Sequence, residues 1–329
     1  MSRNKEKKRG LKIFGTIVLI LIIILVLIVG SIFWYVNNKL SKMQKVDLDE
    51  NNLSVSSEVE ENLTEYRNIA IFGIDSREDT YDKGNRSDCI IIASINNTTK
   101  EVRLVSVYRD TYVQIEGHGL DKITHAYSYG EAPLAIKTLN SNLDLNIKEF
   151  ITVNFDAVKD IVDSIGGIEM HITAEEVSHI SGINKEGTYN LTGEQALAYA
   201  RIRYATGGDY KRTERMRDVL IAVANKVKTM NVSQLNNLVD ELLPKVYTNI
   251  TAGDVFSLFP SIASFNITQS IGWPYETKGI TLDRWYGVPI TLESNVKQLH
   301  QELFGETDYE PSQTVKSISD SIIQKTGYK

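Results

Sequence analysis

The segments NIAIFGIDSR (68–77), RSDCIIIASI (86–95) and VRLVSVYRD (102–110) decide the fold between them. Each holds a short aliphatic, largely β-branched run that ends at a glycine or a polar cluster, the signature of a strand and not of a helix of ordinary length. Asn96 to Lys100 is a polar turn, so the strands Cys89–Ile95 and Val102–Val107 form an antiparallel hairpin. A loop rich in charge and glycine follows, and Pro133 to Leu143 then reads as a helix.

Further along, Phe150 to Phe155 is extended, and Asp156 can cap a helix through Ile165 that stops at Gly166-Gly167. The run Ile168 to Ile172 alternates. Thr192 with Gln195 three residues later forms a capping box for a helix through Ala200. Helical patterns resume over Glu214–Lys228, Val232–Leu243, around Asp254–Phe265, and over Glu293–Phe304. Interleaved strands and helices without a repeat predict a single α/β domain, a central mixed sheet flanked by helices. The domain is expected over 68–309, after a polar stalk or lead-in at 37–67 and before a polar tail, or weak helix, at 310–329.

At the N-terminus, Ile13 to Val36 carries no charged side chain and is long enough for a hydrocarbon core of about 30 Å. Arg3, Lys5, Lys7, Lys8, Arg9 and Lys12 precede it against Glu6 alone, and Trp34 and Tyr35 lie near its far end. The pattern predicts a transmembrane signal anchor at 13–36 behind a basic cytoplasmic tail at 1–12. The expected location is the cell membrane, single-pass, with the N-terminus cytoplasmic and the main domain extracellular. A cleaved signal peptide fits less well, because the apolar run is too long and no small-x-small site follows.

Among 329 residues, 36 are basic and 42 acidic, and the tail at 1–12 holds six of the former and one of the latter. The domain is therefore acidic and lacks a nucleic-acid footprint, so an anionic ligand would need a local basic pocket. Cys89 is the single cysteine, which excludes an intramolecular disulfide; in its apolar strand it reads as an inert packed side chain.

Two groups of residues carry candidate chemistry. Asp75 and Asp88 lie at strand ends and can approach each other if those strands are neighbours; such paired oxygens suit Mg²⁺, which keeps waters and ligand phosphate in its shell. From the pattern alone, an ordinary surface loop tied by ion pairs is the plainer reading. The second group is Arg109-Asp110 after the third strand, Arg201 and Arg203 after the capping-box helix, and Arg212, Arg215 and Arg217 at a helix start. Guanidinium forks suit phosphate oxygens. Salt bridges to Asp209, Glu214 and Asp218 are the plainer alternative. His118 and His125 have no zinc-type partners, and neither GxxxxGK[ST] nor GxSxG occurs.

These segments, with NFDAVKDIVDSIGGIEMHI, LTGEQALAYARIRY and GGDYKRTERMRDVLIA, closely resemble the LytR-CpsA-Psr family of bacterial cell-envelope proteins over most of Asn68 to Ala224. The resemblance implies a Mg²⁺-dependent phosphotransferase. It would move a phosphate-linked anionic glycopolymer (teichoic acid, capsular polysaccharide or a related polymer) from an undecaprenyl-diphosphate carrier to peptidoglycan. The implied acceptor is the 6-hydroxyl of N-acetylmuramic acid, and the implied setting is the bacterial cytoplasmic membrane. Metal ligands would be Asp75 and Asp88, and diphosphate contacts Arg86, Arg109, Arg201, Arg203 and Arg212, with Arg215 and Arg217 in support. Asp110 would orient an arginine. Tyr108 stands where the family often has proline, and Met216 where it often has glutamine. A polyprenyl or wall-polymer binding protein without transfer, or a lipid diphosphatase, is the alternative. A transcription attenuator is disfavoured, since the tail before Ile13 is too short to read DNA.

Overall fold

The computed structural model describes residues 44–46, 48–76, 81, 84–203, 208–231, 243–251 and 263–329, with scattered positions around 34–38 and between 233 and 254. The chain divides into two units, Met1–Lys42 and Met43–Lys329, and every element below belongs to the second.

The strands are β1 (Gln44–Lys45), β2 (Tyr66–Ile74), β3 (Ser87–Asn96), β4 (Glu101–Val107), β5 (Tyr112–Ile115), β6 (Gly119–Lys122), β7 (Glu149–Asn154), β8 (Ile168–Ile172), β9 (Gly187–Leu191), β10 (Tyr247–Thr248), β11 (Asn266–Trp273), β12 (Thr277–Thr281) and β13 (Trp285–Pro289). The helices are α1 (Ser57–Asn62), α2 (Ile123–Leu143), α3 (Phe155–Ser164), α4 (Gly193–Ala200), α5 (Gly208–Lys228), α6 (Leu292–Phe304) and α7 (Gln313–Thr326). Seven strands form one sheet in the order β1-β10-β7-β2-β3-β4-β11. β2, β3 and β4 run antiparallel to one another in turn, whereas β7 pairs parallel to β2 and β11 parallel to β4, so the sheet is mixed.

The central strands are apolar on both faces because helices cover both. Ala70, Phe72 and Ile74 of β2 point into a core shared with α2, α6 and α7. On the opposite face, Cys89, Ile91 and Ala93 of β3 meet α3, α4, α5 and the β8–β9 hairpin. The capping box at Thr192 and Gln195 is formed, and α4 ends at Ala200. Asn154, not Asp156, caps α3. Pro133 begins only the second part of α2: the backbone breaks at Gly130 and Glu131, and an earlier segment starts at Ile123. The stretch read as a loop before it contains the β5–β6 hairpin. Residues 313–326, within the expected polar tail, form α7, which buries Val315, Ile318 and Ile322. The helices expected over 232–243 and 254–265 lie largely outside the described residues.

One expectation is corrected. No helix among the described residues is long and apolar enough to cross a membrane. The segment Ile13–Val36, apart from Trp34 and Tyr35, lies outside those residues. The described residues thus support the α/β domain alone, and the signal anchor and the single-pass location inferred from it, which rest on residues outside them, are set aside.

Because α7 supplies core surface, Ile322→Ala should lower stability by about 2–5 kcal/mol. Exposed Gln324→Ala on the same helix should change it by less than about 0.5 kcal/mol. Midpoints of urea unfolding measured on the two variants check the difference.

Candidate functional site

The site lies at the end of the sheet where β2 finishes, β3 begins and β4 finishes. Between β2 and β3 the pairing runs regularly to Gly73 opposite Cys89, then shifts so that Ile74 faces Ser87. Asp88 is therefore the extra residue of a bulge, a device that re-aims a side chain at the edge of a ladder. Gly73 is required there: a Cβ on it would stand 2.8 Å from the Cβ of Cys89.

The pairing of β3 with β4 sets Ile91 opposite Ser106. Continuing that register by three residues carries Asp88 to Arg109. The contact is formed: the Arg109 guanidinium donates to Asp88 at 2.9 Å, with both side chains largely shielded from water. Arg109 also lies 3.5 Å from the Asp110 carboxylate, which accepts from Lys122 at 2.6 Å. The turn is held by Thr111, whose N–H and hydroxyl both donate to the Tyr108 carbonyl. Thr124 at the head of α2 donates its N–H to the Arg109 carbonyl and its hydroxyl to the Ser87 carbonyl, fastening the ends of β3 and β4 to one helix.

Asp75 follows β2 and is exposed; its carboxylate lies 3.8 Å from Arg201, just beyond α4. The Arg201 guanidinium also sits over the Phe155 ring, 4.8 Å from its centroid, which holds the cation in place without a second acid. Arg86 and Arg203 are exposed. Together with Arg109 and Arg201 they give a locally basic group on an acidic domain.

The three arginines of α5 are buried and have different surroundings. Arg215 forms an ion pair with Glu176 at 2.7 Å and faces the Ile202 carbonyl. Burial would raise the Glu176 carboxyl, but its hydrogen bonds from Thr173 and Arg215 outweigh this and keep it below the usual carboxylate range. Arg217 binds the Ser270 hydroxyl and the Ile271 carbonyl of β11. Both ties anchor α5 to its neighbours. Arg212 lies deepest, and with Arg217 and Asp88 it acts electrostatically on Cys89. Met216 packs in the core beside β3, an apolar use of that position.

Sequence reasoning missed Lys122 and the cluster on Asp121. That carboxylate accepts from Tyr129 at 2.7 Å and from the Lys122 N–H at 2.7 Å, and it is paired with His125 at 2.9 Å. The spacing of Asp121, His125 and Tyr129, four residues apart across the end of β6 and the start of α2, was the available signal. It gives His125 an organising role beside the site.

Among the described residues, no three of His, Cys, Asp and Glu gather to hold a metal. The carboxylates expected to hold one, Asp75 and Asp88, lie at neighbouring strand ends and are each met by an arginine, Arg201 and Arg109. That is compatible with a hard cation completing its shell with phosphate oxygens and waters, but not with an all-protein cage.

A family model described as LytR_cpsA_psr family matches residues 30–300. The polyisoprenyl-teichoic acid–peptidoglycan teichoic acid transferase TagT of Bacillus subtilis is 33% identical over 300 residues, 85% of this chain and 92% of TagT. The corresponding transferase TagU of Enterococcus faecalis is 33% identical over 255 residues, covering 75% of this chain and 82% of TagU. A solved structure described as TagT bound to LI-WTA superposes with a TM-score of 0.58 at 25% identity, over 80% of this chain and 91% of that one.

Burial drives the Cys89 thiol up to about 12, only partly offset by Arg212 and Arg217. The native protein at pH 8 should accordingly resist thiol-specific labelling, since the thiolate is the nucleophile. Labelling by a chromogenic disulfide should become rapid once urea unfolds the chain; rapid labelling of the folded protein would contradict this burial.

Proposed function

The chain belongs to the LytR-CpsA-Psr family, homologous to TagT- and TagU-type cell-envelope glycopolymer transferases, and from that premise we propose its reaction in detail. It transfers a phosphate-linked glycopolymer from an undecaprenyl-diphosphate carrier to peptidoglycan, with the 6-hydroxyl of N-acetylmuramic acid as acceptor. The observation that carries this reading is the shielded Asp88–Arg109 pair beside the exposed cations Arg86, Arg201 and Arg203, at one end of the sheet.

The acceptor oxygen forms a bond to the phosphorus that bears the polymer. The bond from that phosphorus to the bridging oxygen breaks, and undecaprenyl phosphate leaves; the hydroxyl proton is lost in the same exchange. Negative charge shifts onto the bridging oxygen, so donors fixed in advance around the diphosphate lower the barrier. Arg109 is suited to this role because Asp88 and Asp110 restrain its fork before substrate arrives. Arg201, braced on Phe155, and the exposed Arg86 and Arg203 bind the remaining phosphate oxygens. Arg212 contributes positive potential from below, and Arg215 and Arg217 keep α5 seated. Asp75 and Asp88 would hold Mg²⁺. When bound, that ion would neutralise diphosphate charge that the arginines leave uncompensated.

The test supplies a lipid-diphosphate-linked glycan, uncrosslinked peptidoglycan and Mg²⁺ to the protein and identifies the products by mass spectrometry. A covalent glycan–peptidoglycan adduct is expected. Free glycan phosphate would instead indicate hydrolysis, and binding without product a carrier protein. Arg109→Ala and Asp88→Asn should each reduce transfer about 10²–10³-fold, the loss typical of removing one fixed charge-stabilising group. Turnover by either variant at the native rate would refute the assigned site.

A further inference from the structure

Beside the Arg109–Asp110 turn stands the β12–β13 hairpin, which no step of the proposed chemistry uses. It is tied to the turn through its backbone: the Gly287 N–H donates to the Asp110 carbonyl at 3.0 Å, and Thr111 bridges to Gly287. Gly279 and Gly287 are directly opposed across the hairpin. The Trp285 indole lies over both: a Cβ at Gly279 would stand 2.8 Å from its Nε1, and one at Gly287 would stand 3.5 Å from its far edge. One side of the ring thus rests on bare backbone, and the residue remains 45% exposed. Next to it, Tyr210 at the start of α5 is 40% exposed. Its hydroxyl is hydrogen-bonded to Thr277 at 2.9 Å, and its ring packs edge-on against Tyr108 with centroids 4.5 Å apart. Tyr108 in turn is seated on Gly272 of β11. Two aromatic rings laid on three glycines, with Tyr210 packed against one of them, therefore form a wall beside Asp110.

We infer that Trp285 and Tyr210 form a stacking platform for pyranose rings of the acceptor glycan strand, placing its hydroxyl at the Arg109–Asp110 turn. The axial C–H bonds of a pyranose present an apolar face that fits an exposed aromatic ring. Charge selects the acceptor over the anionic donor polymer. The hairpin's cations are engaged, Lys278 over the Tyr328 ring and Arg284 with Asp283, and Lys122 is paired with Asp110. The exposed arginines that suit a polyanion, Arg86, Arg201 and Arg203, belong to the segments around β3 and α4. The hairpin instead follows β11, an edge strand of the sheet. This assignment rests on the transferase reading, but glycan binding can be measured apart from it.

The test uses the full chain with a β-1,4-linked N-acetylglucosamine–N-acetylmuramic acid tetrasaccharide as probe in calorimetry, and with uncrosslinked peptidoglycan as acceptor in the transfer assay. Trp285→Ala should weaken tetrasaccharide binding on the order of ten-fold and raise the acceptor KM about as much, with the donor KM and kcat unchanged. Gly279→Ala retains the indole but displaces it, and should shift both quantities in the same direction. Native tetrasaccharide affinity and acceptor KM in both variants would overturn the platform; so would a rise in the donor KM alone, or no tetrasaccharide binding by the unmodified chain. If the unmodified chain binds the tetrasaccharide, loses it on Trp285→Ala and yet transfers nothing, the platform stands and the transferase reading fails.

Discussion

The register between β3 and β4 is the constraint on which the rest of the site depends. Ile91 pairs with Ser106, and the same pairing carried toward the sheet edge sets Asp88 against Arg109. A strand register can slip only in whole residues, and a slip by one would turn every side chain of the strand to the other face. Here both faces of β3 are buried in different cores, so a slip would exchange Ile90 and Ile92 with Cys89, Ile91 and Ala93. The apolar packing on two sides thus fixes the geometry of one ion pair at the edge. That division suits catalysis, because the charged groups need not be self-sufficient in stability for their positions to be defined.

The bulge between β2 and β3 works within the same frame. It releases Asp88 from the ladder and brings the end of β2, with Asp75, toward the segment that carries Arg86. Each of the two carboxylates is met by an arginine, Asp88 by Arg109 and Asp75 by Arg201. Unpaired, Asp88 would be a buried charge and costly; Arg109 offsets that cost and is itself restrained in return. Arg109, at the end of the sheet, keeps some exposure to solvent, whereas Arg215, enclosed by Glu176 and the Ile202 carbonyl, is committed to the fold. The spacing of arginines on α5 gives no hint of this difference. Burial does.

Much of this was legible in the chain because it depends on local pattern. The β3–β4 hairpin follows from two apolar runs around a polar turn, and the box at Thr192 from two residues three apart. The start of α2 was not legible: Gly130, Glu131 and Pro133 advertise a break, and a helix that resumes across a left-handed residue has no distinct periodicity. α7 was hidden by its composition. Its polar residues outnumber the apolar ones, and only Val315, Ile318 and Ile322, at intervals of three and four, mark the buried face.

Contacts between distant segments are the remainder, and the hairpin on Asp110 is the most consequential. Positions 110 and 287 meet because β11 is the parallel neighbour of β4, and its continuation must turn back past the end of that strand. Tyr108 shows how that proximity reshapes a local motif. At this position the family often carries proline, which has no N–H; here the Tyr108 N–H donates to the Trp273 carbonyl at 2.9 Å, extending the β4–β11 ladder by one step. The ring then occupies the space that a side chain at 272 would need, and supports Tyr210. A substitution that looked like a departure in the catalytic turn is thereby coupled to the aromatic wall beside it. In the proposed reaction the phosphate chemistry would draw on charged groups at the ends of β2, β3 and the β4 turn, whereas the surface proposed for a sugar would draw on β11, the hairpin and α5. Arg109 and Asp110 are where the two meet.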